Sequence, residues 1–429
     1  MSLKILIVGS GVCGPTLATL LQRSNPSHHI TVLERSPTLR LAGQQVDLKT
    51  QAPHILGKMG LMDEVRKNCV NESGVEMVDG DGKQVALFSA ARAGEKRPGL
   101  TSEFEILRGD LVRVLFENSV RQDAEVRARP GRVSLGGVEY EFGKSIKALD
   151  QSVQDEVEVT FSTGEKRRFD LVVGADGQGS RTRQLAFGKE VSDAAFHSIG
   201  VHGAYFSIPR IEGEGSLARG HLAPGRRMVF TRTSDRQVTG VLMFTMQESE
   251  RVKASYNEPV EAQKEAFAEI FQDVKWQKER LLAGLRDCDD WYAHELGQIK
   301  MERLSTGRVV LLGDAGYCPT PFTGLGTNLC LVGAYILAGE LARHGTGTGT
   351  GNVEGALKAY EDKMRPFIDE CQQLSSATGF FFPASRAAVW GMQQLMWVVS
   401  KVNGFFPQGT TEDSHDARLP VYPELNLKD

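Results

Sequence analysis

Three glycines near the start of the chain have the spacing of a loop that binds a dinucleotide. Gly9, Gly11 and Gly14 follow the apolar run 3–8, which predicts a buried strand, and precede a predicted helix over 16–22. In such a loop the first glycine allows a tight turn, the second lets backbone approach a pyrophosphate, and the third permits close helix–strand contact. The free N–H groups at the helix start then face the phosphates. As opposed to a turn that binds nothing, the loop is predicted to bind a cofactor through Gly9, Gly11, Val12, Cys13 and Gly14.

An acidic residue lies at the distance along the chain that a ribose contact requires. Glu34 ends a second apolar run, 29–33, and comes twenty residues after Gly14. A carboxylate at this strand end can accept hydrogen bonds from a ribose hydroxyl. Arg35, next to it, could lie along the adenosine. The glycine loop and this acid together predict an adenine dinucleotide.

Two further carboxylates follow apolar runs. Asp176 stands in a Gly-Ala-Asp-Gly segment after the run 171–173, and Asp314 follows the run 308–312. Open α/β sheets bind ligands at the carboxyl ends of their parallel strands. The loop 319–328, rich in proline and glycine, then opens onto a predicted helix whose N–H groups favour an anionic or polar ligand. We expect both carboxylates at one binding edge.

A cation stands where another helix is predicted to begin. Arg108 precedes Leu111, Val114 and Leu115, which have helical spacing. Positive charge beside a helix N-terminus is electrostatically unfavourable. Arg108 is therefore either an ordinary cation at a helix start or a sign that an anion binds nearby.

Composition excludes several classes of protein. The chain has 429 residues, enough for two or three domains, and its 50 basic and 54 acidic residues argue against a nucleic-acid binder. Six scattered cysteines show no metal-ligand spacing, so no metal site is expected and a reducing, cytoplasmic compartment is favoured. No stretch of eighteen apolar residues predicts a membrane span, and the first apolar run is needed as a strand rather than a signal peptide.

The elements that must position these residues alternate between buried strands and helices in the first part of the chain. The span 194–246 is rich in strands and predicts a separate antiparallel sheet, and the span 258–285 is predicted to be helical. A last helix over 385–402 has a broad apolar stripe that predicts burial against both domains, with peripheral contact to a membrane as the alternative.

The three segments together resemble the class A (single-component) FAD-dependent aromatic hydroxylases, a group of flavoprotein monooxygenases. The likeness is greatest to the branch that inactivates tetracyclines and modifies fungal polyketides, and it covers about residues 3–380. It implies an α/β fold with a Rossmann-like FAD-binding domain, an antiparallel-sheet substrate domain and a C-terminal helical segment. The implied boundaries are 1–73, 107–186 and 300–345 for the FAD-binding domain, 74–106 and 187–299 for the substrate domain, and 346–429 for the C-terminal helices and tail.

The resemblance also implies roles for individual residues. Glycines 9 to 14 would hold the FAD pyrophosphate, and Glu34 with Arg35 would hold the adenosine. Asp176 would serve both FAD and a passing NADPH, while Asp314 would orient the flavin side chain. The remaining cofactor contacts that the resemblance implies are Gln44, Gln45, Arg108, Gly177, Arg183, Gly313, Pro321, Gly324, Gly326, Thr327 and Asn328. One departure from the family pattern is Ala315-Gly316-Tyr317, which stands where Ala-Ala-His is usual.

The implied activity is hydroxylation of an aromatic or polyketide-type small molecule. NADPH would reduce FAD, molecular oxygen would form a flavin hydroperoxide, and one oxygen atom would pass to an electron-rich carbon. His202 or His221 could act as a base toward a phenol, although a lone histidine on a strand is more often structural. With one glycine loop in the sequence, NADPH would dock transiently, and Arg181 and Arg183 could bind its phosphates. Baeyer–Villiger or epoxidising chemistry, or FAD binding without catalysis, remain alternatives, and the oligomeric state is not predicted.

Overall fold

The computed structural model describes residues 2–89, 104–128, 136–233, 237–344, 352–373, 379, 381–402 and 419–428. The strands in these ranges are β1 Lys4–Val8, β2 His29–Glu34, β3 Gln45–Asp47, β4 Gly74–Val78, β5 Gln84–Ser89, β6 Glu105–Leu107, β7 Gly137–Phe142, β8 Ile146–Asp150, β9 Val157–Phe161, β10 Lys166–Phe169, β11 Leu171–Gly174, β12 Phe196–Pro209, β13 Leu217–Ala223, β14 Arg227–Thr233, β15 Val238–Thr245, β16 Tyr292–Ile299, β17 Ser305–Thr306 and β18 Val309–Leu311. The α-helices are α1 Cys13–Ser24, α2 Ala52–Met59, α3 Met62–Asn68, α4 Arg108–Arg127, α5 Arg181–Phe187, α6 Lys189–Ala194, α7 Glu250–Ser255, α8 Val260–Phe271, α9 Lys278–Asp287, α10 Asp314–Tyr317, α11 Gly326–His344, α12 Val353–Gln372 and α13 Arg386–Val402.

The first sheet has six strands in the order β17-β18-β11-β1-β2-β7. All neighbours from β18 to β7 are parallel, and β17 pairs with β18 in the antiparallel sense. Val8 lies opposite Leu33 on one side and Gly174 on the other, and Gly174 lies opposite Leu311. The carboxyl ends of four strands therefore meet at one edge, as the sequence predicts. The residues just beyond these ends are Gly9, Glu34, Asp176 and Asp314.

Both faces of this sheet are covered, which explains why its central strands β1, β11 and β18 are almost wholly apolar. Ile5 and Ile7 of β1 belong to the core shared with α1, α11 and α12. Leu6 and Val8 point to the opposite face, where the three-stranded sheet β10-β9-β8 packs.

The second sheet has seven strands in the order β16-β12-β15-β14-β13-β4-β5. Its strands are antiparallel except for the β4–β13 pair, so the predicted antiparallel sheet is confirmed. Ala204, Phe206 and Ile208 of β12 pack on one face against α8 and α9. Val201 and Tyr205 of the same strand belong to the opposite face, toward which Val389 of α13 also packs. This second face is called the cleft face below.

Two sequence predictions about helices need correction. The predicted helix over 258–285 is two helices, α8 and α9, because Gln277 between them has a left-handed backbone with φ of 49°. The last helix, α13, is not buried all round: Val389 and Met392 pack against the second sheet, while Trp390 is 65% exposed and Trp397 is 52% exposed. Within the described ranges no helix is both long and apolar enough to cross a bilayer. The domain boundaries given above remain a proposal.

A buried histidine at the opposite edge of the first sheet leads to a prediction on pH. His28 is 6% exposed, and its Nδ1 accepts a hydrogen bond from Leu3 N at 3.0 Å. Burial lowers the pKa of His28 from 6.5 to about 4, so below pH 6.5 the unfolded chain takes up a proton that the folded chain refuses. The free energy of unfolding should therefore fall by roughly 3 kcal/mol on this account as the pH drops from 6.5 to 4.

The measurement is the urea midpoint as a function of pH. The slope of the free energy of unfolding against pH reports how many more protons the unfolded chain binds than the folded one. Between pH 6.5 and 4 the variant His28→Gln should reduce this slope by the equivalent of about one proton. His29→Gln, at the exposed neighbouring position, is the matched control and should leave the slope unchanged. Equal slopes for the parent and His28→Gln would contradict this assignment.

Candidate cofactor and substrate site

The three glycines of the first loop differ in what surrounds them. Gly9 has φ of +114°, and a Cβ there would lie 2.3 Å from the Ala175 carbonyl oxygen. A Cβ on Gly14 would lie 2.1 Å from the Gly9 carbonyl oxygen. A Cβ on Gly11, by contrast, would have Arg108 Nη2 as its nearest described neighbour, at 3.4 Å. The protein's own packing therefore requires the first and third glycines, whereas the second leaves open space for a ligand.

Glu34 is held beside this loop by backbone hydrogen bonds. Its Oε2 accepts from Ser10 N at 3.1 Å, and its Oε1 accepts from Ser36 N at 2.9 Å. The Ser10 hydroxyl is buried and has no hydrogen-bond partner in the described part of the chain. Arg35 is exposed at the rim. An orphan hydroxyl and a fixed carboxylate next to an open glycine fit the polar groups of a dinucleotide.

Arg108 is the cation that faces the open glycine. It is the first residue of α4, and its side chain runs along Gly43 before reaching Gly11. Among the described residues no carboxylate lies within 4 Å of its guanidinium. A positive charge at a helix N-terminus without a carboxylate partner among the described residues fits an anionic ligand, the second of the two alternatives that the sequence left open.

Asp314 reaches the same edge from the other side. It begins α10 after Gly313, whose φ is +66°. Burial raises the pKa of Asp314, and the charge of Arg108 acts in the opposite direction. A Cβ on Gly326, the first residue of α11, would lie 3.8 Å from Asp314 Oδ1, so the carboxylate adjoins a helix start.

The loop between α10 and α11 combines an open tip with a fixed end. Its 3-10 turn Pro321–Thr323 is followed by Gly324, whose φ is +65°. A Cβ on Gly324 would have no atom of the described residues within 4 Å. Thr327 is half-buried in the first turn of α11. Asn328 is used internally: its Oδ1 accepts from Lys49 N at 2.8 Å, and its Nδ2 donates to Asp47 O at 3.2 Å. The side chain of Asn328 thus anchors α11 to β3.

Gln44 and Gln45 connect the glycine loop region with the second sheet. Gln44 O accepts a hydrogen bond from Arg108 N at 2.9 Å, and the Gln44 side chain lies against Gly240 of β15. Gln45 is buried and its Nε2 donates to Thr233 O at 3.4 Å. Both residues therefore lie at the junction of the two sheets.

The Asp176 segment is largely occupied with its own helix. Asp176 Oδ2 accepts a hydrogen bond from Thr182 N at 2.9 Å. Gly177 has φ of +83°, and a Cβ there would have no atom of the described residues within 4 Å. Arg183 is 4% exposed, and its Nη1 donates to Ala315 O at 2.8 Å. Its other guanidinium nitrogens donate to Ser192 Oγ and Gln178 O. The structure therefore places Arg183 as a support for α10 rather than as a phosphate ligand.

Neither histidine named as a candidate base lies on the cleft face. His202 shares its face of β12 with Ala204 and Phe206, and its Nδ1 lies 2.9 Å from the Tyr256 hydroxyl. His221 lies with its ring 6.0 Å from that of Trp276, in the core beneath α8 and α9. Burial lowers the pKa of both imidazoles. These placements do not support a catalytic role for either side chain.

The surroundings of Tyr317 accommodate its large side chain. Tyr317 is fully buried, and its hydroxyl lies 2.9 Å from that of Tyr360 on α12. The Tyr360 hydroxyl in turn donates to Leu311 O at 3.1 Å. A Cβ on Gly333 of α11 would lie 2.1 Å from the Tyr317 hydroxyl. The larger side chain therefore fits because α11 carries a glycine opposite it.

A set of aromatic side chains was not predicted from the sequence. They lie beside the loop 321–323, near the edge of the first sheet at which Gly9, Glu34 and Asp314 meet, which we call the cofactor edge. Their rings form a continuous series of contacts between 4.8 and 6.0 Å, from β12, β15 and β16 to the 3-10 turn at 321–323. We call this set the aromatic wall; its members are Tyr205, Phe244, Tyr292, His294, Phe322 and Phe382. The only sequence signal was the alternation along β12 and β16, which separates the two faces without showing which one is covered by helices.

Comparison with known proteins places this site in a family. A model of the FAD binding domain family matches residues 2–375 of the chain. The FAD-dependent monooxygenase asL6 of Sarocladium schorii is 39% identical over 435 residues, and the alignment covers 100% of both chains. The flavin-dependent monooxygenase eupH of a Phoma species is 32% identical over 439 residues, covering 99% of this chain and 98% of that protein.

Solved structures agree with the sequence relatives. The crystal structure of the tetracycline destructase Tet(51) matches with a TM-score of 0.72 at 26% identity, covering 95% of this chain and 99% of that one. The family match extends over most of the chain, and the full-length relatives carry the same activity name. The chain belongs to the FAD binding domain family and is an FAD-dependent monooxygenase.

Proposed function

We propose that this monooxygenase hydroxylates an aromatic or polyketide-type small molecule, with NAD(P)H as reductant and molecular oxygen as co-substrate. The observation that carries the proposal is the position of the aromatic wall, which adjoins the loop between Asp314 and α11. The names of the fungal relatives, FAD- and flavin-dependent monooxygenases, support it. Bound FAD, once reduced by NAD(P)H, would activate molecular oxygen, so that one oxygen atom passes to a substrate held against this wall and the other leaves as water.

The residues of this chain would bind the cofactor and orient the substrate. Gly11 and Arg108 would hold the pyrophosphate, Glu34 the ribose, and Asp314 with the loop 321–328 the flavin end. The aromatic wall would stack on the substrate ring and exclude water from the reacting carbon. In this arrangement no protein side chain needs to act as a nucleophile.

The reductant would arrive by transient docking. The sequence contains one glycine loop of the dinucleotide type after a strand, and we assign it to FAD. Since the guanidinium of Arg183 is occupied inside the protein, Arg181, which is exposed at the start of α5, is the remaining candidate for the phosphates of NAD(P)H.

We also infer that the protein works in a reducing compartment, the cytoplasm. All six cysteines are free, including Cys13 and Cys330, whose sulfur atoms lie 2.8 Å apart. The exposed face of α13 is the surface through which peripheral contact with a membrane would be made.

The test is NADPH consumption by the FAD-loaded protein across a panel of phenolic polyketides. We expect one compound to stimulate consumption and to gain one oxygen atom by mass spectrometry. Under anaerobic conditions the same compound should speed flavin bleaching by NADPH at least about tenfold, equivalent to roughly 1.4 kcal/mol off the barrier. The reason is that bound substrate would favour the conformation in which the flavin can be reduced.

Each other outcome has a definite meaning. A ring-expanded ester or an epoxide as the product would replace hydroxylation by Baeyer–Villiger or epoxidising chemistry. Bound FAD that NADPH never reduces, with any compound, would point to a non-catalytic protein. Equal bleaching rates with and without a compound that is hydroxylated would refute substrate gating alone.

A further inference from the structure

Two polar atoms in the aromatic wall are buried without a hydrogen-bond partner in the described chain. They are Tyr205 Oη and His294 Nδ1. The two rings are nearly parallel, with an interplanar angle of 22° and centroids 5.8 Å apart. Buried polar atoms in native proteins are nearly always paired, so two orphans on adjacent strands require an explanation.

The backbone register creates the recess in which these atoms lie. Tyr205 of β12 pairs with Tyr292 of β16, and Gly203 pairs with His294. A Cβ on Gly203 would lie 3.2 Å from Tyr205 Oη and 3.2 Å from the ring of Phe244. The missing side chain at Gly203 therefore makes room for the tyrosine hydroxyl.

The recess opens toward the cofactor edge. Tyr292, which stacks on Tyr205 and contacts His294 in a tilted arrangement, is 47% exposed. Burial raises the pKa of its hydroxyl, which also lies within the electrostatic reach of Arg108 and Asp314. Phe244, in contact with Tyr205, lies 5.4 Å from the ring of Phe322 in the loop assigned to the flavin. A molecule bound against Tyr205 and His294 would thus lie next to the flavin end of the site.

The pair is uncharged at neutral pH. Burial lowers the pKa of His294 from 6.5 to about 4, so its imidazole is neutral. Burial also raises the pKa of Tyr205, so its hydroxyl keeps its proton. The recess therefore offers two hydrogen-bonding groups. Tyr205 Oη is an O–H donor, and His294 Nδ1 accepts a hydrogen bond when the imidazole carries its single proton on Nε2. A neutral hydroxyl group, which both accepts and donates, satisfies the two atoms together, whereas a carboxylate has no proton to give His294.

We propose that Tyr205 and His294 bind a neutral phenolic or enolic hydroxyl of the substrate, with Tyr205 Oη donating to its oxygen and His294 Nδ1 accepting its proton in a hydrogen bond. This assignment rests on the proposed function and specifies its substrate class: an uncharged ring system that bears a free hydroxyl. The contact orients the ring against the aromatic wall. Tyr205 and His294 are thus substrate-binding residues.

The test uses the FAD-loaded protein and three probes that share one ring system: 2-naphthol, 2-methoxynaphthalene and 2-naphthoate. Binding is followed by quenching of flavin fluorescence. We expect 2-naphthol to bind at least about tenfold more tightly than the ether and the carboxylate, because only it satisfies both buried atoms. Tyr205→Phe and His294→Phe should each bring the affinities for 2-naphthol and its ether to within about threefold of each other.

Tyr256→Phe is the matched control. Its hydroxyl, 2.9 Å from His202 Nδ1, lies on the helix-covered face of the same sheet, so this variant should keep the preference for 2-naphthol. Because Tyr205 Oη has no protein partner in the described chain, Tyr205→Phe should unfold at the same urea concentration as the parent or a higher one. Tyr256→Phe loses a hydrogen bond and should unfold at a lower urea concentration than the parent.

Three results would overturn the assignment. One is equal binding of 2-naphthol and its ether by the parent, and another is the same loss of preference in Tyr256→Phe. The third is loss of FAD from Tyr205→Phe, which would mean that the hydroxyl serves the cofactor. NADPH consumption and product mass, measured on the same preparations, separate this test from the proposed function. Oxygenation of phenols without the hydroxyl preference refutes the assignment alone, and the preference without any oxygenation refutes the function alone.

Discussion

Replacing Gly11 with leucine should give a folded protein that purifies without FAD. The backbone at Gly11 is compatible with a side chain, and a Cβ there would lie 3.4 Å from the flexible end of Arg108. The side chain would instead fill the space through which backbone approaches the pyrophosphate. We therefore expect the urea midpoint of the apoprotein to change little while the flavin absorbance of the purified protein is lost.

Gly14→Ala, in contrast, should lower the stability of the protein itself. Its Cβ would lie 2.1 Å from the Gly9 carbonyl oxygen, so α1 would have to move away from β1. Overpacking of this kind lowers the free energy of unfolding by about 1–3 kcal/mol, and occasionally by more. Gly179→Ala is the control, because a Cβ there would have no atom of the described residues within 4 Å. The FAD content and the stability of this variant should equal those of the parent. If Gly11→Leu keeps its FAD, the loop does not hold the pyrophosphate.

Charge reversal at Arg108 is expected to lower the affinity for FAD by roughly three orders of magnitude. An ion pair at about 4 Å with an effective dielectric constant near 20 contributes about 4 kcal/mol, and each 1.4 kcal/mol is about tenfold in affinity. Arg108→Glu removes that attraction and adds repulsion, whereas Arg108→Lys keeps the charge and should lose less. Titration of the apoprotein with FAD measures the effect.

The stability of the apoprotein provides an independent readout for the same variant. No carboxylate among the described residues forms an ion pair with Arg108, and the favourable effect of a negative charge at the start of α4 opposes the repulsion from Asp314. The reversal should therefore change the urea midpoint without FAD little. Arg121→Glu on the same helix is the control, because it makes an equal change in net charge. The guanidinium of Arg121 donates a hydrogen bond to Asn118 Oδ1 at 2.9 Å. Comparable FAD affinity in Arg108→Glu and Arg121→Glu would show that Arg108 does not bind the cofactor.

The cofactor edge could be predicted from sequence because its signals are local. A glycine triplet between a strand and a helix, an acid at the end of the next strand and a carboxylate after a later strand each depend on residues adjacent in the chain. Parallel pairing then brings the strand ends level, so that Gly9, Glu34 and Asp314 come to one edge without further information. The same reasoning identified Arg108, because its charge conflicts with the helix start it occupies.

Residue type alone did not distinguish the roles of two neighbouring basic side chains. Arg181 and Arg183 are two positions apart at the start of one short helix, so sequence offers no way to tell them apart. In the structure Arg183 points inward and its donors are taken by Ala315, Gln178 and Ser192. Which of the two faces solvent depends on how α5 packs against α10, a contact between segments far apart in the chain.

What the sequence by itself determined is the family, the dinucleotide loop and the presence of two kinds of sheet, because these follow from periodicity and short motifs. Only the tertiary structure decided which face of the second sheet is covered by helices α8 and α9. Alternation along β12 places His202 and Tyr205 on opposite faces, but both faces carry apolar residues. Helices α8 and α9 cover the face of His202, and this packing leaves Tyr205 and His294 facing the cleft.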